Sequence, residues 1–177
     1  KPLLDVAGTP LILRHIERLA AAGFTEIVIN IAHLGHLIEE RLGDGSAFGV
    51  RILYSREAQP LETAGGIVNA LPLLGDDEPF LLVNGDIWCD YPLANLPINR
   101  LRTPEISSKN HRALSAYLVL VDNPEHHPTG DFVLRDGLVQ PRDGGQAYTF
   151  SGLSVMHPRL FDNWRARAGE AFPLREV

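Results

Sequence analysis

With 177 residues, 45% of them hydrophobic and 21% charged, the chain has the composition of an ordinary globular domain large enough for a single core. A balance of 16 basic against 22 acidic residues gives a net charge of −6 with no basic run, which argues against duplex nucleic-acid binding but leaves a small anionic ligand open, since backbone N–H groups and a metal can hold phosphate on an acidic protein. No apolar run reaches transmembrane length, and the one cysteine, Cys89, permits no internal disulfide; the reading is a cytoplasmic protein with no membrane partner.

In chain order, Thr9-Pro10 predicts a helix start, with Thr9 as cap, Pro10 at the first helical position, Ile12, Ile16 and Leu19 at helical spacing, and Gly23 as stop. The run 26–32, EIVINIA, predicts a buried strand, and 33–45 a helix with Leu34, Leu37, Ile38 and Leu42 on one face. A strand over 50–55, a short helix over 63–74 with a glycine-rich first turn, and a strand over 79–83 follow. Helix and strand alternate from 10 to 86, and the strands are continuously apolar, so a parallel sheet covered by helices on both faces is expected. Residues 97–112 are polar and patternless and predict a poorly ordered loop. Beyond them come a strand over 113–122, a hairpin turning at Asp136-Gly137, a strand over 148–157, and a helix opening near Pro158. No repeat and no long linker divides the chain, which reads as one domain.

Four places carry residues suited to chemistry. Asn84-Gly85-Asp86 ends an apolar strand, where open α/β sheets bind ligands. Asp86 there suits Mg²⁺, which takes one or two carboxylates plus substrate phosphates; a plain Asn-Gly turn is the equal alternative. Glu62, Thr63, Gly65 and Gly66 open a helix, and their bare backbone admits either a flat ligand or close packing against the sheet. Lys1 is a point charge for phosphate or a solvated terminus. On the later strands Asp131 can accept hydrogen bonds from sugar hydroxyls and Gly152 marks a close approach by something, or the two are a surface turn and a bulge. His126-His127 lack zinc spacing, Cys89 lacks a base, and Trp88 and Trp164 read as packing residues. There is no GxGxxG, which counts against a dehydrogenase.

Taken in order, KPLLDVAGTPLI, GFTEIVIN, PLETAGGI and LLVNGDIW resemble the sugar-1-phosphate nucleotidylyltransferases, with Asp5 where that signature usually has Pro. LLVNGDIWCDY, DNPEHHPTGDF and FSGLSVMHP are most similar to the bacterial N-acetylmuramate 1-phosphate uridylyltransferases of peptidoglycan recycling. The resemblance implies a Rossmann-like α/β fold, a mixed and mostly parallel sheet with helices on both faces, plus a small β-rich sugar-binding portion. It implies a nucleotide-binding half over 1–96 and a sugar-binding half over 113–177. UTP and a sugar 1-phosphate would be joined, with pyrophosphate released and Mg²⁺ as cofactor. Lys1 and Asp86 would be catalytic, Asp86 holding the metal. Lys1, Glu62, Thr63, Gly65 and Gly66 would bind the nucleotide, and Asn84, Asp131 and Gly152 the sugar phosphate. The family's glycine-rich loop ahead of the signature lysine, and a later strand with a second metal aspartate, are not among these residues; a chain incomplete at both ends is expected. A non-catalytic sugar-nucleotide-binding domain, or a glucose- or mannose-1-phosphate enzyme, are the alternatives.

Overall fold

A computed structural model of the protein describes residues 1–102 and 114–177. The first half opens with a two-residue antiparallel ladder, β1 (Asp5–Val6) against β2 (Thr9–Pro10). Thr9 and Pro10 thus belong to a strand rather than a helix cap, and α1 (Leu11–Ala21) starts one residue after Pro10. The backbone N–H of Leu11 donates to Leu4 O and that of Ile12 to Pro2 O, so the incoming chain does what the Thr9 side chain was expected to do.

From α1 the chain runs through β3 (Glu26–Ile31), α2 (Gly35–Leu42), β4 (Arg51–Arg56), α3 (Glu62–Leu74) and β5 (Phe80–Val83). β3 and β4 pair in parallel, Glu26 opposite Arg51 through Ile31 opposite Arg56. α2 is shorter than its apolar pattern suggests, because Leu34 before it takes a left-handed backbone at φ 60°. Ile12, Ile16, Leu42 and Ile52 bury α1 and α2 against this pair. β5 does not join that ladder. It pairs antiparallel with β9 (Ala147–Met156), Phe80 opposite Met156 and Val83 opposite Leu153. β3 and β5 are mostly half-buried, and residues of both line one cleft.

The segment expected to be loop over 97–112 begins with a short helix, α4 (Ile98–Arg102), whose Leu101 is fully buried; the rest of that expectation lies outside the described residues. In the second half, β6 (Ala116–Val121) flanks β9 on one side with a bulge between Leu118 and Leu120. The hairpin of β7 (Phe132–Arg135) and β8 (Leu138–Gln140) extends the sheet beyond β9. Its turn is the predicted Asp136-Gly137, both residues at positive φ (52° and 77°), the type I′ geometry that matches strand twist. Residues 158–167 form 3₁₀ turns, not the α-helix expected. The Asp162–Arg165 ion pair at i,i+3 suits that tighter winding. Phe161 and Phe172 then pack with Ala64, Val68 and Met156 into a core beneath α3. No helix among the described residues is long and apolar enough to cross a membrane.

Candidate active site

A cleft of about 950 Å³ lies between β3 and β5 and is walled by α1 and α3. Parallel pairing sends β3 and β4 toward the same edge, and α3 follows β4, so the carboxyl end of β3, the loop after β4 and the first turn of α3 meet there. Asn30, Glu57, Glu62, Thr63 and Gly66 line this side, while Lys1, Asn84, Gly85 and Asp86 line the other. Residues 85 positions apart thereby come into contact: Lys1 Nζ lies 3.4 Å from Asp86 Oδ2. The Asp86 side chain is 41% exposed, accessible to a ligand rather than committed to the core.

The two adjacent glycines serve different surroundings. Gly66 faces the cleft; a Cβ there would lie 2.9 Å from Glu57 Oε1 and 3.1 Å from Asn30 Nδ2. Asn30 Nδ2 donates to Glu57 Oε1 at 2.9 Å and to Gly66 O at 2.8 Å, and Glu57 Oε2 accepts from Leu61 N at 3.0 Å. This network ties the end of β3 to the start of α3. Gly65 points the other way: its Cβ would lie 2.2 Å from Glu170 O. The N–H groups of Ala64 and Gly65 both donate to Phe172 O at 3.2 Å, and Phe172 N donates back to Leu61 O. The donors at this helix start are therefore partly taken by residue 172, and no side chain caps it. Glu62, at its first position, holds φ 59°, a left-handed backbone that costs a non-glycine residue free energy and that clusters at functional sites.

Gly152 and Asp131 do not line the cleft. Gly152 (φ 78°) backs onto Asn84: a Cβ would come within 3.0 Å of the Asn84 Cβ, and Asn84 N donates to Gly152 O at 2.9 Å. It thus supports a cleft residue from behind. Asp131 sits on the β7–β9 side, where Oδ2 accepts from Phe150 N at 2.8 Å and Oδ1 lies 3.1 Å from His127 Nε2.

Residues that the sequence analysis missed also gather here. Asn30 lies inside the apolar run EIVINIA, followed by the buried Ile31, so its signal was a lone amide within a strand rather than the abrupt polar end that marked Asn84. Glu57 carried no local signal. His15 is buried on α1, lines the cleft, and has an Nε2 without a hydrogen-bond partner among the described residues. Burial, helped by the nearby Arg18 guanidinium, holds its imidazole below the ordinary range against an opposing pull from the Ile87 backbone. Trp88, read as a packing residue, is half exposed and stacks on His15 at 5.7 Å. As to metal, no group of three or more His, Cys, Asp or Glu suited to an ion occurs among the described residues. Among the described residues lining the cleft, Asp86 offers an accessible carboxylate beside the Lys1 ammonium, a donor set that fits Mg²⁺ only together with ligand phosphates.

The sequence model of the family described as Nucleotidyl transferase matches residues 1–120. The N-acetylmuramate alpha-1-phosphate uridylyltransferase of Neisseria meningitidis serogroup B is 53% identical over 169 residues, covering 94% of this chain and 70% of that protein. A mannose-1-phosphate guanyltransferase of Yarrowia lipolytica is 35% identical over 92% of this chain, which spans 45% of its length. The crystal structure of HddC from Yersinia pseudotuberculosis complexed with GMP-PN shares the fold, with a TM-score of 0.71 at 19% identity over 97% of this chain and 72% of that one. With more than half of its length matched by the family model, this chain belongs to the nucleotidyl transferase family.

Proposed function

We propose that the protein transfers a uridylyl group from UTP to N-acetylmuramic acid 1-phosphate, giving the UDP-sugar and pyrophosphate, in the cytoplasmic recycling of cell-wall peptidoglycan. The observation that carries this reading is the meeting of Lys1 and Asp86 across the cleft from Glu62, Thr63 and Gly66. The name borne by the Neisseria relative supports the choice of sugar and nucleotide. Residues 1–96 form the nucleotide half and 113–177 the sugar half.

A phosphate oxygen of the sugar 1-phosphate attacks the α-phosphorus in line, and pyrophosphate leaves. The nucleophile is already anionic, so no side chain needs to remove a proton, and the protein's task is positioning and charge balance. The first turn of α3, Glu62–Gly66, braced by Asn30 and Glu57 over Gly66, offers its polar groups to the nucleobase. Lys1 sets a positive charge beside the phosphates. Asn84, kept in place by Gly152, faces the sugar phosphate, and Asp131 fixes the strand pair behind the sugar. Asp86 would hold Mg²⁺, which supplies Lewis-acid neutralisation of the phosphate oxygens when bound.

The test is turnover of the full-length protein with UTP and Mg²⁺, offering N-acetylmuramic acid 1-phosphate, glucose 1-phosphate or mannose 1-phosphate, each also with GTP. Preference for the first sugar with UTP is expected; preference for mannose 1-phosphate with GTP would move the assignment toward the guanyltransferases. Asp86→Asn should lower pyrophosphate release by at least about 100-fold. Undiminished release from that variant would sink the reading.

A further inference from the structure

The carboxylate proposed to hold the metal stands at the start of a segment that scarcely holds itself. Between Gly85 and Tyr91 the backbone–backbone hydrogen bond among the described residues is a long turn contact, Ile87 N to Asn84 O at 3.4 Å. Ile87 and Trp88 are both exposed, at 41% and 51%. Among the described residues Asp86 itself has one ion pair, with the exposed Lys1. Fixing of this segment comes from α1. Arg18 donates through Nη1 to Cys89 O and through Nη2 to Tyr91 O. Its guanidinium also lies 5.4 Å from the centre of the Trp88 ring, whose neighbour in turn is the His15 ring, at 5.7 Å and 30°. His15 and Arg18 are three residues apart, so they project from one side of the helix. Ile12, Leu13 and Ile16 anchor that helix in the core, which makes it a rigid base.

We infer that Arg18 and His15 are positioning residues: through Cys89, Tyr91 and Trp88 they hold the segment that carries Asp86, and so set the carboxylate's place for the metal. The inference rests on Asp86 being the metal-holding group proposed above. A planar guanidinium satisfies two carbonyls at once, which a lysine ammonium does not do with the same geometry. Supporting residues of this kind typically change metal affinity by about 10–100-fold when removed.

The experiment measures binding of Mn²⁺, as a paramagnetic probe, to the full-length protein with UTP by electron paramagnetic resonance, alongside hydrogen exchange of residues 85–91 and thermal melting. The variants are Arg18→Gln, Arg18→Lys and Asp86→Asn. Arg18→Gln should weaken Mn²⁺ binding about tenfold or more and speed exchange in 85–91, with exchange elsewhere unchanged; Arg18→Lys should fall between it and the parent. Should Arg18→Gln fail to fold, Arg18→Lys carries the same comparison. Parent-like Mn²⁺ affinity in the folded Arg18 variants, while Asp86→Asn loses the ion, overturns the positioning role and leaves the proposed function standing. Parent-like Mn²⁺ affinity in Asp86→Asn overturns the metal assignment, and the inference falls with it. A uniform rise in exchange across the whole chain would mark Arg18 as merely structural and also refute the proposal.

Discussion

Substituting Gly65 and Gly66 by alanine, one at a time, separates packing from site. At Gly65 the new methyl would stand 2.2 Å from the carbonyl oxygen of Glu170, a backbone atom that cannot swing aside. The segment 170–172 must retreat, breaking the hydrogen bonds from Ala64 N and Gly65 N to Phe172 O and from Phe172 N to Leu61 O. Three such bonds contribute about 1 kcal/mol each net. Phe172, only 1% exposed, also loses part of a burial that stabilises by about 1.5–3 kcal/mol. Against this, alanine gains about 1 kcal/mol of helix propensity. The balance is a loss of about 3 kcal/mol, or a melting point lowered by about 6–12 °C for a chain of this size. At Gly66 the obstacles are the ends of two flexible side chains, Glu57 and Asn30. They can turn away, so stability should shift by no more than about 1 kcal/mol, while the Asn30–Glu57 brace opens and KM for UTP rises. Urea titration and thermal melting of the two variants, with steady-state kinetics on UTP, provide the comparison. A Gly65→Ala protein as stable as the parent would refute the reasoning about residue 65.

Three further outcomes are expected. Glu62→Gly relieves a positive φ that costs about 1–2 kcal/mol, less about 0.4–1 kcal/mol for the greater freedom of glycine in the unfolded chain, so denaturant unfolding should show a net gain of roughly 0.5–1 kcal/mol together with weaker UTP binding; a less stable variant would contradict this. Burial holds both His15 and His157 below the usual imidazole value of 6.5. The unfolded chain therefore binds more protons near and below that value, so stability is complete above pH 6.5 and declines as pH falls through it toward the folded-state values; a flat melting profile across that range, or no lessening of its slope by His15→Gln, would count against the assignment. Asn123→Ala removes the donor to Pro128 O and Ala147 O and the acceptor for the Thr149 hydroxyl, and should cost about 2–3 kcal/mol in urea unfolding; a change under about 0.5 kcal/mol would show that water replaces these bonds.

Local pattern determined a good deal of this protein. Continuous apolar runs in EIVIN and FLLV mark strands because a strand with both faces turned toward other elements carries apolar side chains at successive positions. Asp136-Gly137 marks a hairpin because few residue pairs accept two successive left-handed positions. Asn84-Gly85-Asp86 stands out because polar residues end an apolar run abruptly, and the family motifs attach to these same local features. What needed tertiary structure was direction and partnership. Gly65 and Gly66 look alike in the chain, but successive helical residues point about 100° apart, and only the position of Glu170 and of Asn30 tells which glycine packs and which faces the cleft. The first turn of α3 is closed by Phe172, the Asp86 segment is gripped by Arg18 from 71 positions away, and Thr9-Pro10 became a strand because Asp5-Val6 lay beside it. Each is a contact between stretches distant in sequence or competing with a local preference. Such contacts are decided by which groups the folded chain brings within reach, and no periodicity along the sequence records that.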